Sequence, residues 1–160
     1  FETLLNQAPL GVYLVDDELR IREVNPVARP VFGDLPGGVI GRELGEVLRC
    51  LWEDEYAEEV VRVFRRTLET GEPHVAAERG ERRRDRGRVE YYDWRTDRIL
   101  LPDGRSGVVC YFRDISNQVE ARLAIAASEE RFRTLADAMP QIVFVAEPAG
   151  RIAFVNRQWR

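Results

Sequence analysis

Few residues in this sequence could carry acid–base or nucleophilic chemistry. His74 is the single histidine, and Cys50 and Cys110 are the two cysteines. Since histidine is the side chain that titrates near neutral pH, general acid–base catalysis has few candidates. The sequence shows neither a serine–histidine–aspartate arrangement nor a glycine-rich phosphate loop, and its carboxylates fall in predicted turns and on exposed helix faces. We therefore expect that this segment is not an enzyme and binds no metal.

An arginine-rich run, RGERRRDRGR, occupies residues 79–88. Basic clusters of this kind can bind phosphate or nucleic acid. Here Glu81 and Asp85 interrupt the run, and Gly80 and Gly87 flank its centre as turn residues. We interpret it as a solvated tip between two strands, and we expect no contact with nucleic acid.

Bulk composition narrows the class of protein. The 160 residues carry 24 basic and 28 acidic side chains, a net charge of −4, which gives no general attraction to nucleic acid or anionic lipid. Two cysteines without a paired framework fit a reducing compartment. No apolar run approaches the length of a membrane span, so we expect a cytoplasmic segment without membrane contact, and any anchor of the parent protein would lie outside it.

The chain contains an internal repeat. FETLLNQAPLGVYLVDDELRIREVN at residues 1–25 aligns without a gap with FRTLADAMPQIVFVAEPAGRIAFVN at residues 132–156, at a constant offset of 131 residues. The match includes Pro9 with Pro140 and Asn25 with Asn156, which chance similarity between apolar strands would rarely give. The repeat unit is about one domain long, and its second copy stops early, so we expect a piece of a longer modular protein.

The pattern of elements predicts an α+β domain with one antiparallel sheet. A hairpin turns at residues 16–18, and short helical turns follow in a segment rich in proline and glycine. Helical spacing then runs from residue 44 to Gly71, and three strands follow, the last two joined by a turn at residues 103–104. A final helix is expected from Asn117, where Glu120 completes a capping box.

Three features resemble the PAS (Per-Arnt-Sim) sensor family. SEERFRTLADAMPQIVFVAEPAGRIAFVN is similar to the opening of many bacterial PAS units, and DWRTDRILLPDGRSGVVCYFRDIS resembles their last two strands. Tandem units joined by a helix are also common in that family. The resemblance implies a PAS fold: a five-stranded antiparallel sheet of order 2-1-5-4-3, with short helices and one longer helix on one face, plus a C-terminal linker helix. We assign residues 1–116 to a PAS sensor domain, 117–131 to a helical linker and 132–160 to the truncated start of a second unit.

The resemblance implies a function in signalling. Such modules sense a ligand, redox state or light, or simply dimerise, and they act on a kinase or cyclase domain in the same chain. We expect a sensory, signal-relay and dimerisation module of a bacterial histidine kinase, pairing as a homodimer through helices or a sheet face. The alternative is a ligand-free protein-interaction scaffold whose core is filled by its own side chains.

The resemblance also bears on cofactors. The haem-binding branch of the family takes an axial histidine from the long helix, whereas His74 follows Pro73 at a strand start. The flavin photosensor branch needs an Asn-Cys-Arg motif, which is absent around Cys50, and Cys110 lies in the last strand. Haem and photoactive flavin are therefore disfavoured. A redox flavin or a small apolar metabolite remains open, and the cofactor is unknown.

Strand alternation selects candidate cavity-lining residues, because residues two apart share a face. In the family the residue two before the closing aspartate faces the cavity, which here is Phe112, and alternation adds the rest of its strand. The other candidates come from the first two strands and the long helix. The full candidate set is Val12, Leu14, Val24, Val61, Phe64, Val108, Cys110 and Phe112.

A cavity of this kind is either liganded or filled by the protein's own side chains. A void of ~200 Å³ would cost roughly 5 kcal/mol, which is comparable with the stability of a whole domain. The aromatic residues Phe64, Tyr92, Trp94 and Phe112 are available to fill it. The sequence leaves both alternatives open.

The signal is expected to leave the domain where the last strand meets the linker helix. The candidate relay residues are Trp94, Asp114, Ile115 and Ser116, the last three standing in the place of the family's Asp-Ile-Thr. In the helix, Val119, Leu123 and Ala126 form a narrow stripe that suits pairing with a second copy or packing on the domain's own sheet. Residues 141–160 predict only a hairpin, which is marginal alone, so we expect it to pair with another strand edge or to pack in a dimer.

Overall fold

The computed structural model describes residues 2–159, except for the side chains of residues 2, 4 and 5. The chain divides into two compact units, Phe1–Ser116 and Asn117–Arg160. The elements of the first are α1 (Glu2–Gln7), β1 (Gly11–Val15), β2 (Ile21–Val24), α2 (Arg29–Phe32), α3 (Leu44–Leu51), α4 (Asp54–Thr70), β3 (His74–Arg82), β4 (Val89–Leu100) and β5 (Ser106–Asp114). Helix α5 (Ser116–Ala138) leads into β6 (Phe144–Ala146), β7 (Ile152–Val155) and a 3₁₀ turn (Arg157–Trp159).

The first unit contains the predicted sheet. Its five strands lie antiparallel in the order β2-β1-β5-β4-β3, and every adjacent pair is antiparallel. The predicted fold class is therefore confirmed. Helices α2, α3 and α4 contribute buried side chains to the core together with one face of the sheet.

The helical pattern from residue 44 to Gly71 divides into two helices. Trp52 has an extended backbone (φ −125°, ψ 166°) that ends α3 and pairs as a bridge with Arg83. Helix α4 then starts after Glu53 and ends at Gly71, whose left-handed φ of 75° favours glycine. The break lets Trp52 turn its ring into the core, where it is buried.

The sequence repeat is also a repeat of hydrogen bonds. Asn25 Oδ1 accepts the Val12 N–H at 2.9 Å, and Asn25 Nδ2 donates to the Leu10 carbonyl at 2.8 Å. Asn156 makes the same two bonds, from Val143 N–H at 2.9 Å and to the Gln141 carbonyl at 2.8 Å. Each partner lies 131 residues further on, so the matched asparagine clamps its hairpin in the same way in both units.

The hairpin of the second unit does not pair as the sequence led us to expect. Strands β6 and β7 form a separate two-stranded sheet, and neither joins another strand in the described part of the chain. Its support comes from its own unit: Phe132 contacts Phe154 edge-on at 5.3 Å, and Asn156 Nδ2 donates to the Ala136 carbonyl at 2.7 Å. Phe144 remains exposed, so packing in a dimer stays a prediction.

Candidate functional site

A small, partly open space lies between the sheet and the helices of the first unit. Its volume is about 60 Å³. Large aromatic rings make up most of the wall. The lining residues are Tyr13, Val31, Leu48, Trp52, Tyr56, Val60, Tyr92, Trp94, Cys110 and Phe112.

Aromatic packing explains why the space is small. Tyr13 stacks on Phe64 with ring centroids 5.8 Å apart and meets Phe32 edge-on at 5.2 Å. Tyr92 meets Trp52 and Phe112 edge-on, each at 5.8 Å. Edge-on and stacked rings at these separations are favourable pairs, so the rings hold one another in place.

The structure corrects two of the predicted cavity residues. Val12 and Leu14 pair with Tyr111 and Val109 and lie in a separate cluster on the opposite face of the sheet. Tyr13 occupies the inward position instead, opposite Cys110. The error arose because every residue of GVYLV is apolar and buried, so no polar position marks which face of β1 is inside.

The other candidates lie on the core face at different depths. Cys110 and Phe112 line the space, whereas Val108 and Phe64 are fully buried in the surrounding cluster. Val24 and Val61 are half-buried at its margin. Sequence analysis missed the lining contribution of α3 and the α3–α4 junction, including Leu48 and Trp52. The helical spacing of these residues was visible, but their approach to β4 depends on the break at Trp52.

Two ionisable groups meet inside the core. Tyr13 and Cys110 lie opposite each other on β1 and β5, and both line the core space. Burial raises the pKa of Cys110 to about 12 and raises the pKa of Tyr13 well above its usual range. Because the thiolate is the reactive form of cysteine, Cys110 is chemically inert at neutral pH. Cys50, by contrast, is exposed on α3.

We expect the two cysteines to react very differently with a thiol reagent. At pH 8 the folded chain should release about one equivalent of chromophore from an aromatic disulfide reagent, from Cys50, and about two equivalents in denaturant. A Cys50→Ser chain is the control, which should give almost none until it unfolds. Rapid labelling of Cys110 in the folded control chain would contradict the buried, protonated thiol.

Residues 84–88 form the exposed turn between β3 and β4 that the sequence predicted, but Arg83 is not part of that solvated surface. The Arg83 side chain is fully buried and lies over the Trp52 ring, with its guanidinium carbon 4.9 Å from the ring centroid. Arg83 donates to both Asp85 carboxylate oxygens at 2.8 Å, and this bond holds the pKa of Asp85 below its usual range. Its Nη1 lies 3.3 Å from Glu90 Oε1, within ion-pair distance but outside hydrogen-bond geometry. A buried guanidinium between two carboxylates therefore lies within an otherwise exposed loop.

Glu90 is the centre of this cluster and is only 2% exposed. Arg86 donates to both of its oxygens at 3.2 and 3.1 Å, and Arg88 donates at 3.3 and 3.1 Å. The Tyr92 hydroxyl donates to it at 3.1 Å, so the cluster touches the wall of the core space. We call Arg83, Asp85, Arg86, Arg88 and Glu90 the buried charge cluster. Only the alternation of arginine with acidic residues hinted at it in the sequence.

The candidate relay residues surround the start of α5. Ile115 donates its N–H to the Tyr91 carbonyl at 2.9 Å, and Tyr91 donates its N–H to Ser116 Oγ at 2.9 Å. Asp114 Oδ1 accepts the Ser116 N–H at 2.9 Å. We call these residues the β5–α5 junction. Both backbone groups of Tyr91 on β4 therefore hold the first turn of the helix, which begins at Ser116, one residue before the predicted cap.

Trp94, the fourth relay candidate, lies inside the core rather than at the junction. Its ring packs on His74 at a centroid distance of 4.9 Å, and its Nε1 is buried without a hydrogen-bond partner in the described structure. His74 is half-buried at the first position of β3. Within residues 2–159, no cluster of three metal-binding side chains occurs, and no helix is both long and apolar enough to cross a membrane.

Comparison with known protein families identifies the fold. A family model described as "PAS fold" matches residues 5–120, which is most of the chain. The chain belongs to the PAS family. A second model, described as "PAS domain", matches residues 130–160, the segment that repeats the opening of the first unit.

Three proteins illustrate what this PAS chain is similar to, and the chain spans only a small part of the first two. The uncharacterized protein y4lL of Sinorhizobium fredii is 26% identical over 99% of this chain, which spans 19% of that protein. The peroxide stress-activated histidine kinase mak1 of Schizosaccharomyces pombe is 45% identical over 42 residues, 26% of this chain and 3% of that protein. The PAS domain of Bordetella pertussis BvgS superposes with a TM-score of 0.58 at 19% identity, covering 81% of this chain and 94% of that domain.

Proposed function

We propose that this chain is a signal-relay and dimerisation segment of a bacterial histidine kinase, in which the first PAS domain acts on α5 through the β5–α5 junction. The observation that carries the proposal is the use of both Tyr91 backbone groups by Ile115 and Ser116. The similarity to mak1, a histidine kinase, supports the proposal that the output is histidine kinase activity. A relay needs two conformations whose free energies differ by a few kcal/mol. The combined contribution of the three hydrogen bonds at the β5–α5 junction is of that order.

The junction can transmit a displacement of β4. Tyr92 pairs with Asp114 across the sheet. The end of β5 must therefore move with β4, unless the backbone hydrogen bonds between the two strands break. A shift of β4 that weakens the two Tyr91 bonds frees the first turn of α5 from the sheet. The helix then changes its direction or frays, and either change reaches whatever follows it.

The size of the core space favours relay without a bound metabolite. Ligand pockets occupy roughly 300–1,000 Å³, whereas the volume of the core space here is about 60 Å³. Tyr13, Tyr92, Trp94 and Phe112 occupy the volume that a ligand would need. We expect native mass spectrometry of the purified chain to give the mass of the polypeptide alone, without visible absorbance. A bound organic molecule in stoichiometric amount would contradict the ligand-free form of the proposal.

Two exposed apolar surfaces are available for pairing with a second copy. One is a groove of about 430 Å³ along the sheet, where Leu10, Val75 and Tyr111 contribute apolar surface. The other is α5, on which Leu123 and Ile125 are exposed. Sedimentation equilibrium of the chain should show a dimer, and Val75→Glu or Leu123→Glu should weaken it according to which surface pairs. A monomer at all concentrations would contradict dimerisation.

The relay is tested in the full-length parent protein by autophosphorylation. Ser116→Ala removes the acceptor of the Tyr91 N–H, and it should change the rate of phosphohistidine formation by roughly 5–150-fold. Ser106→Ala, an exposed serine at the start of β5, is the matched control and should have little effect. An unchanged rate in Ser116→Ala would overturn relay through this junction, and the absence of phosphohistidine in the wild-type protein would overturn the kinase assignment.

A further inference from the structure

The buried charge cluster joins three parts of the first unit that are far apart in sequence. Arg86 donates to the Pro30 carbonyl in α2, and Arg84, next to Arg83, donates its N–H to the Leu51 carbonyl at the end of α3. Arg83 covers the Trp52 ring at the α3–α4 junction. One loop between β3 and β4 thus holds the helices at one end of the core space.

The same cluster is attached to the β5–α5 junction through three consecutive residues of β4. Glu90 and Tyr92 lie on the core face, where Glu90 receives the arginines and the Tyr92 hydroxyl. Tyr91 lies between them, and its N–H and carbonyl bind Ser116 and Ile115. A displacement of residues 90–92 cannot occur without moving both sets of contacts.

The free-energy cost of an unpaired buried charge favours two discrete arrangements of the cluster over a continuous range of intermediate ones. Arg83 and Glu90 are 0% and 2% exposed, so neither charge contacts bulk water while the cluster is closed. Buried ion pairs either keep their geometry or open to solvent, because an unpaired buried charge is strongly unfavourable. Arg83 Nη1 has no hydrogen-bond acceptor in the described structure, so one donor of the closed cluster is unsatisfied.

We propose that the buried charge cluster is a latch that couples the position of the α3–α4 junction around Trp52 to the start of α5, through residues 90–92 of β4. The inference rests on the proposed relay and names its input. With the latch closed, Trp52 is seated and Ile115 and Ser116 are bound to Tyr91. With the latch open, the helices at Trp52 move away and the Tyr91 contacts weaken.

The test is amide hydrogen exchange, measured by NMR on the 160-residue chain. Glu90→Gln keeps the side-chain shape and an acceptor for the Tyr92 hydroxyl, but it removes the charge that holds the arginines. Exchange at Ile115 should accelerate by roughly 5–150-fold, together with exchange at Arg84. Glu72→Gln is the control, because Glu72 pairs with Arg66 just beyond the end of α4, and no hydrogen bond or ion pair in the described structure joins it to the cluster. It should leave Ile115 within about twofold of wild type.

A second experiment tests the same coupling in the opposite direction and leaves the buried charges unchanged. Coupling between two sites acts in both directions, so Ser116→Ala should accelerate exchange at Trp52 and Arg84 as well as at Ile115. If Glu90→Gln fails to fold, Ser116→Ala tests the latch by itself. The latch is overturned if Ser116→Ala leaves Trp52 and Arg84 unchanged, or if Glu90→Gln loosens Arg84 but not Ile115. Neither result depends on kinase output, so failure of the latch is distinct from failure of the relay.

Discussion

Replacing Arg83 with alanine should lower the free energy of unfolding of the first PAS domain by about 3–5 kcal/mol. The substitution deprives Asp85 of its bidentate partner and removes the cation that lies over Trp52. Glu90 keeps Arg86 and Arg88, but they approach it from the solvent side, where Arg88 is 67% exposed. The loss is measured by urea unfolding followed by tryptophan fluorescence.

Two variants separate charge from packing in this result. Arg83→Met keeps much of the side-chain volume over Trp52 and should cost less than Arg83→Ala. Arg88→Ala removes an exposed partner of the same Glu90 and should cost no more than about 1 kcal/mol. If Arg83→Ala and Arg88→Ala are equally mild, Arg83 is not buried in solution, and the original interpretation of a solvated tip is correct.

Phe64→Ala should be comparably destabilising, at about 3–5 kcal/mol, and should also create a binding site. Phe64 is fully buried and stacks on Tyr13, so the vacated volume adjoins the space of about 60 Å³. An enlarged apolar cavity that stays dry accepts small aromatic molecules such as benzene. Benzene should therefore shift core methyl resonances in Phe64→Ala and leave those of the wild-type chain unchanged.

The neighbouring residue on α4 provides the control for that experiment. Arg65 is exposed, and Arg65→Ala should change stability by no more than about 0.5 kcal/mol and bind no benzene. Benzene binding to the wild-type chain at similar affinity would show that the core is open without mutation. A loss below about 1 kcal/mol for Phe64→Ala would show that the rings do not pack as a unit.

The sheet order was predicted correctly because the resemblance to the PAS family implies it, and local sequence signals mark the individual strands and turns. The same signals failed for β1, where an unbroken apolar run leaves the inward face undefined and Tyr13 was overlooked. They also failed for Arg83, since arginine is rarely buried unless paired. Its partner Trp52 comes from a distant part of the sequence, and no local pattern indicates that contact.

At the β5–α5 junction, sequence analysis selected the correct side chains but missed the backbone groups that bind them. Asp114, Ile115 and Ser116 were selected from their resemblance to a family motif, and they do lie together at the start of α5. Their partner Tyr91 was missed because it contributes backbone groups, which any residue could supply. Its importance is visible only once β4 and β5 are paired, with Tyr92 opposite Asp114.

The central claim is that β4 holds the start of α5, and the Ile115 amide proton reports on it most directly. Its hydrogen bond to the Tyr91 carbonyl is 2.9 Å long, and the residue is buried. In the wild-type chain this proton should exchange within about tenfold of the core amides of β5. Exchange as fast as that of the exposed turn at Asp103 would show that the helix start is not held by the sheet, and the relay through this junction would then have no physical basis.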